Sequence, residues 1–171
     1  GATAHDLSHA PDREQERLPR IRKHGGGVYD FCQDASRYDR YREGVFQNAC
    51  NPQLGNAAVM EIGVYCIHSL IRIVGAPKNV KALSTKLSNG FDGSGIVLME
   101  YDGMTAEAVY SKIAASVNPS VLQGEDGSSM IDYVSKPETI SLRLSDGSRA
   151  TPEGGTIDSI PFPPVPHTLL V

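Results

Sequence analysis

Hydrophobic positions along the chain follow two regimes: one helical period in the segment 55–75, and strand-like alternation after it. In 55–75, GNAAVMEIGVYCIHSLIRIVG, Glu61 taken as zero and an advance of about 100° per residue put Glu61, Tyr65, His68 and Arg72 in a stripe roughly 60° wide. Val59, Met60, Ile62, Val64, Cys66, Ile67, Leu70, Ile71, Ile73 and Val74 take the remaining circumference. This predicts a long helix over 57–74, buried between layers, with one thin polar seam. Asn56 is placed to cap its start, and Gly75 followed by Pro77 reads as a C′ glycine and a stop.

After the helix the period becomes two. Strands are expected over 79–88, 95–101, 105–116, 120–123, 129–133 and 139–144. Asp102-Gly103, Glu125-Asp126-Gly127 and Asp146-Gly147 supply turns between them. One further strand, 28–32, precedes the helix. Gly25-Gly26-Gly27 in front of it reads as a flexible lead into the sheet. It is not a phosphate loop, because a dinucleotide fingerprint follows a strand and opens a helix. The segment 33–54 reads as irregular and carries Arg37, Tyr38, Arg40, Tyr41 and Arg42. It is either a solvated charged loop or a lid over the polar seam.

The pattern therefore predicts an α+β fold: a large, predominantly antiparallel open sheet with one long buried helix on one face. Val97, Met99 and Tyr101 make one side of their strand apolar, and Ile96 and Leu98 the other. The second sheet face then needs its own cover, and a partner subunit is the economical one, giving a homodimer or higher homo-oligomer. Residues 25–150 form this domain. Residues 1–24 are a polar lead-in, with a short helix over 12–22 weakened by Pro19. Residues 151–171 are a Pro/Gly-rich edge tail. The opening GATAHDLSHA and the closing HTLLV read as points where a longer sequence is cut.

Composition narrows the function classes. With 171 residues, 40% apolar and 21% charged, the chain has the values of one globular domain. A net charge of −4 argues against a nucleic-acid footprint. No apolar run is long enough to span a membrane, and residues 1–24 contain no signal-peptide core, so the cytoplasm is expected. Cys32, Cys50 and Cys66 lack metal-type spacing and read as buried thiols in a reducing compartment.

The chemistry, if any, lies in the seam. A phenol and a carboxylate one helical turn apart can act together in proton transfer. A free tyrosine titrates near 10 and is a poor base at neutral pH, so it needs a nearby cation. Arg72 lies about 10 Å further along the axis. A metal on Glu61 and His68 lacks a third ligand of suitable spacing. There is no Ser or Cys nucleophile motif and no Walker loop.

The run NPQLGNAAVMEIGVYCIHSLIRIVGAPKNVKAL, with SRYDRYREG upstream, resembles the C-terminal domain of the Gfo/Idh/MocA family of NAD(P)-dependent oxidoreductases. It is most similar to the branch of dimeric dihydrodiol dehydrogenases and glucose–fructose oxidoreductase. The resemblance implies a Rossmann domain that binds NAD or NADP, absent from this chain, and a second domain that carries substrate residues and makes the oligomer. It also implies that the needed cation is the lysine of an E-K-P motif on that other domain. The family's D-I-G-V-H/Y block maps onto Glu61-Ile62-Gly63-Val64-Tyr65. Tyr65 thereby inherits the proton-transfer role and Glu61 an orienting one, with Arg37, Tyr38 and His68 as candidate substrate contacts. Glu61 stands where aspartate is usual, and Asn56-Ala57-Ala58 where Gly-Gly-Ala is usual. The implied function is the substrate-binding and oligomerisation domain of an oxidoreductase acting on a sugar, polyol or related cyclic alcohol. The alternative is a non-catalytic binding or assembly module on the same fold, which those two departures favour.

Overall fold

Alternation in the strands sorts side chains into a covered and an open sheet face. The computed structural model describes residues 25–33, 36–45 and 47–150. Its strands are β1 (Gly25–Cys32), β2 (Asn79–Lys86), β3 (Asp92–Tyr101), β4 (Met104–Ser111), β5 (Ser120–Gly124), β6 (Gly127–Ile131), β7 (Ile140–Leu144) and β8 (Arg149–Ala150). They form one eight-stranded sheet in the order β2-β3-β4-β1-β5-β6-β7-β8. Every neighbouring pair is antiparallel except β1 and β4. The polar lead-in 1–24, the helix expected over 12–22 and the tail 151–171 lie outside the described residues.

On the covered face, register aligns Tyr29, Ala108 and Val97, and beside them Ala106 and Met99. Ala58, Ile62, Cys66 and Leu70 of the helix close over this row to make the core. Alanines under the helix let it approach closely. Gly63 marks that approach, since a Cβ there would lie 3.1 Å from the Tyr110 ring.

The expected helix is present with an altered start. Val59–Gly63 forms a π-helical turn that runs into α2 (Val64–Val74). Gly75 ends it at φ 105°, its amide donating to the Ile71 carbonyl. Asn56 does not cap the start: its side-chain amide donates to the Asn48 carbonyl at 2.7 Å. The cap comes from the sheet, where the Asp92 carboxylate accepts from the Val59 amide at 3.0 Å.

Several other expectations need correction. The helix is buried on one side only. Met60 is 68% exposed, and Val64 and Ile71 are also exposed, because the described residues supply a sheet to one side of the helix and no second layer. The glycine triplet is the start of β1 and no flexible lead. Its backbone runs so near β5 that a Cβ on Gly25 would sit 2.0 Å from the Gln123 carbonyl oxygen. The segment 33–54 contains a short helix, α1 (Ser36–Arg42), and two 3-10 turns, Asn48–Cys50 and Pro52–Leu54. β4 stops at Ser111, whose hydroxyl accepts from the Ile113 and Ala114 amides and turns the chain away before 116.

The open face carries apolar side chains from several strands among charged ones such as Glu107 and Lys81. Leu98 on β3 is 44% exposed, and Val28 on β1, Met130 on β6 and Leu83 on β2 are also exposed. Register brings Leu98, Glu107, Val28, Val121 and Met130 into one row. No helix among the described residues is long and apolar enough to cross a membrane.

Candidate functional site

The π-turn and the first turn of α2 carry Glu61 and Tyr65, and the side chains around them come from three strands. Lys112, just past β4, donates from Nζ to the Glu61 Oε2 as an ion pair. It is a buried lysine, 6% exposed. Its ammonium also lies over the Phe91 ring, 5.8 Å from the centroid. Its own amide donates to the Gly93 carbonyl at 2.9 Å, which fixes its backbone to β3.

Tyr65 packs edge-on against Phe31 of β1, with centroids 5.5 Å apart and planes at 83°. Phe31 makes a similar contact with Tyr133 at 6.4 Å. Beneath the π-turn, the Tyr110 hydroxyl donates to the Asp92 Oδ2 at 3.2 Å. Burial, then the Asp92 charge and that hydrogen bond, push the Tyr110 phenol up to about 12, so it stays a donor at neutral pH. Burial likewise pushes the Cys66 thiol up to about 12, with Asp30 and Cys32 adding to it. The Cys32 thiol is also pushed up to about 12, first by burial and then by Asp30. Both thiols are therefore protonated and poorly nucleophilic at neutral pH.

The seam residues are not treated alike. Glu61, Tyr65 and His68 are half-buried, while Arg72 is exposed at the last turn. Arg37 and Tyr38 sit on α1, which is tied to the β2–β3 connection. Tyr38 stacks on Tyr41 with centroids 6.2 Å apart, and the Tyr41 hydroxyl bonds Ser88 at 2.5 Å and receives the Asn89 amide at 3.2 Å. Beside it lies a pocket of about 260 Å³ lined by Gln47, Asn48, Cys50, Asn51, Pro52, Gln53 and Asn89. Glu61, Tyr65 and His68 are not in that lining. Among the described residues no group of three or more His, Cys, Asp or Glu side chains is arranged to hold a metal.

Sequence reasoning missed Lys112, Asp92, Phe91 and Tyr110. For Lys112 a signal was present: Met104, Ala106, Ala108 and Tyr110 alternate inward along β4, and the same parity carries Lys112 to the helix side.

Acid and phenol on a helix over an antiparallel sheet thus define an α+β domain with chemistry-capable groups on its helix-covered side. No family model matches the chain. It is 47% identical over 117 residues to scyllo-inositol 2-dehydrogenase (NADP(+)) IolU of Bacillus subtilis, covering 68% of this chain and 36% of that protein. It is 32% identical over 156 residues to the uncharacterized oxidoreductase YgjR of Escherichia coli, covering 91% of this chain and 45% of that one. The fold matches KijD10, a 3-ketoreductase from Actinomadura kijaniata solved with NADP, at a TM-score of 0.61 and 16% identity, over 86% of this chain and 46% of that one. The chain thus spans less than half the length of these relatives. It belongs to the Gfo/Idh/MocA family of oxidoreductases and corresponds to the C-terminal domain.

Proposed function

We propose that residues 25–150 are the substrate-binding and oligomerisation unit of an NAD(P)-dependent oxidoreductase acting on a sugar, polyol or related cyclic alcohol. The observation that carries this is the Glu61–Tyr65 pair, one helical turn apart, in a chain 47% identical to a protein named as an inositol dehydrogenase. In this reading Tyr65 passes a proton to or from the reacting oxygen. Glu61 orients Tyr65 or a substrate hydroxyl, and His68, Arg37 and Tyr38 contact the substrate.

The described residues fit only part of a nicotinamide dinucleotide. They offer no phosphate cradle, because Gly25, Gly26 and Gly27 are paired within β1. They do offer a half-buried acid and phenol, Glu61 and Tyr65, with the exposed Met60 and Val64 on the same helix. The dinucleotide phosphates accordingly belong on a separate nucleotide-binding domain. When bound, the nicotinamide supplies the hydride donor or acceptor that no side chain can replace.

The open face supports a homodimer or higher homo-oligomer, since Leu98, Val28 and Met130 expose apolar surface along one cross-strand row.

The test is Tyr65→Phe in the full-length protein, assayed for NADP-dependent oxidation of inositols and related polyols. A loss of about 10²–10⁴-fold in kcat is expected for removal of a proton-transfer group. Wild-type turnover would take Tyr65 out of the mechanism. A second reading, a non-catalytic assembly module, draws on the locking of Glu61 to Lys112. Absence of any polyol-dependent turnover by the wild-type protein would favour it.

A further inference from the structure

A buried ammonium is expensive unless it is paired, and Lys112 is paired in one place only among the described residues, at Glu61 Oε2. Its remaining neighbour of note is the Phe91 ring face. The lysine is itself rigidly mounted, with its backbone bonded to Gly93 on β3 and its stem enclosed. Glu61 is different: it rises from a π-turn, is half-buried, and has one more rotatable bond than aspartate. Without a fixed partner its carboxylate would spread over several rotamers.

We propose that Lys112 is a positioning residue, which anchors the Glu61 carboxylate beside Tyr65 so that the glutamate does the work of a shorter acid. The inference rests on the proposed roles of Glu61 and Tyr65 in proton transfer. One lysine contact at Oε2 leaves most of the acceptor capacity of the carboxylate for a substrate hydroxyl or the phenol. The ion pair spans from the end of β4 to the π-turn, so it fixes the acid relative to the sheet and not merely along the helix. Displacing a reacting or orienting group by about 1 Å can cost about 100-fold in rate, which is the effect an anchor prevents.

The pair makes a counter-intuitive demand. Aspartate, the residue usual at this position in the resembled family, should be worse than glutamate here, because its shorter arm draws the carboxylate away from Lys112. In the full-length enzyme, Lys112→Met should lower kcat about 10–100-fold while KM stays within about threefold, as for loss of a group that orients a catalytic one. Glu61→Asp should show the same split. In a Glu61→Gln background, Lys112→Met should have no further effect on kcat. A fully active, folded Lys112→Met would overturn the proposal and leave Lys112 a structural strut. Should Lys112→Met fail to fold, Glu61→Asp decides, and wild-type kcat there overturns the proposal equally.

Nitrogen-15 NMR of the lysine ammonium groups gives a readout independent of turnover. A shielded, slowly exchanging lysine signal is expected, and it should vanish in Glu61→Gln. Absence of that signal in the wild type would remove the ion pair and the proposal together. If the signal behaves as expected while Tyr65→Phe turns over normally, the reaction assignment fails and the positioning role fails with it, though the pair stands.

Discussion

The start of the helix hangs on Asp92, and Asp92→Ala should therefore be among the most damaging single changes that leave the apolar core intact. The carboxylate does two jobs. It accepts the Val59 amide at 3.0 Å, satisfying a donor that the helix itself leaves orphaned. It also accepts the Tyr110 hydroxyl at 3.2 Å. Loss of the cap costs about 1 kcal/mol. Loss of the acceptor strands a hydroxyl on a tyrosine that is buried, which costs about 1–3 kcal/mol more. The sum is about 2–4 kcal/mol, read as a fall of about 1–2 M in the urea midpoint of the full chain. The double variant Asp92→Ala, Tyr110→Phe separates the two contributions. Removing the stranded hydroxyl should restore most of the second part, so the double variant should be more stable than Asp92→Ala alone. A shift below about 0.5 kcal/mol, the size of an ordinary surface substitution, would refute the reasoning. So would a double variant less stable than the single one.

The packing and the open face lead to two more expected outcomes. The thiols of Cys32 and Cys66 are pushed up to about 12, whereas an unfolded thiol titrates near 8.5, so the unfolded chain binds fewer protons in between. Stability should be fully present below about pH 8.5 and fall as pH rises towards 12, and Cys66→Ala should flatten part of that slope in a pH series of melting temperatures. Leu98→Glu, on the open face of β3, should convert the proposed dimer to a monomer in analytical ultracentrifugation. A monomeric wild type at high concentration would remove the face from the assembly.

Those parts of the fold that depend on local period were legible. The helix 57–74 and its Gly75 stop, the strands between 79 and 144, and the turns at Asp102-Gly103 and Asp146-Gly147 all derive from spacing and turn chemistry. The illegible parts depend on partners distant in sequence. Asp92 caps a helix that begins 33 residues earlier, so no window of 18 residues contains both. Lys112 and Glu61 are separated by 51 residues. The glycine triplet misled because glycine signals flexibility locally, whereas here a neighbouring strand leaves no room for a side chain. α1 was missed because its seven residues bury nothing and so carry no apolar face to detect. The expected burial between two layers fails because an apolar circumference does not say how many layers will cover it.

The π-turn links these misses to the site. A regular helix would continue the same angular step through Glu61 and Tyr65, fixing their relation by sequence alone. A π-turn inserts backbone into one turn and re-aims its own side chains relative to those of the next turn, and such turns are frequent at functional sites. Here the wider turn lies over Tyr110 and Asp92 on the sheet, with Gly63 allowing the close approach, while α2 continues in register over Phe31. Glu61 can then meet Lys112 at the end of β4 without pulling Tyr65 from its aromatic seat. Asp92, which caps the turn, and Lys112, which holds its acid, come from adjacent strands on the same side of the helix start. Lys112 reaches the turn through the Glu61 side chain, whereas Asp92 holds the turn's backbone and the Tyr110 hydroxyl, so turnover is expected to fall without stability at Lys112 and together with it at Asp92.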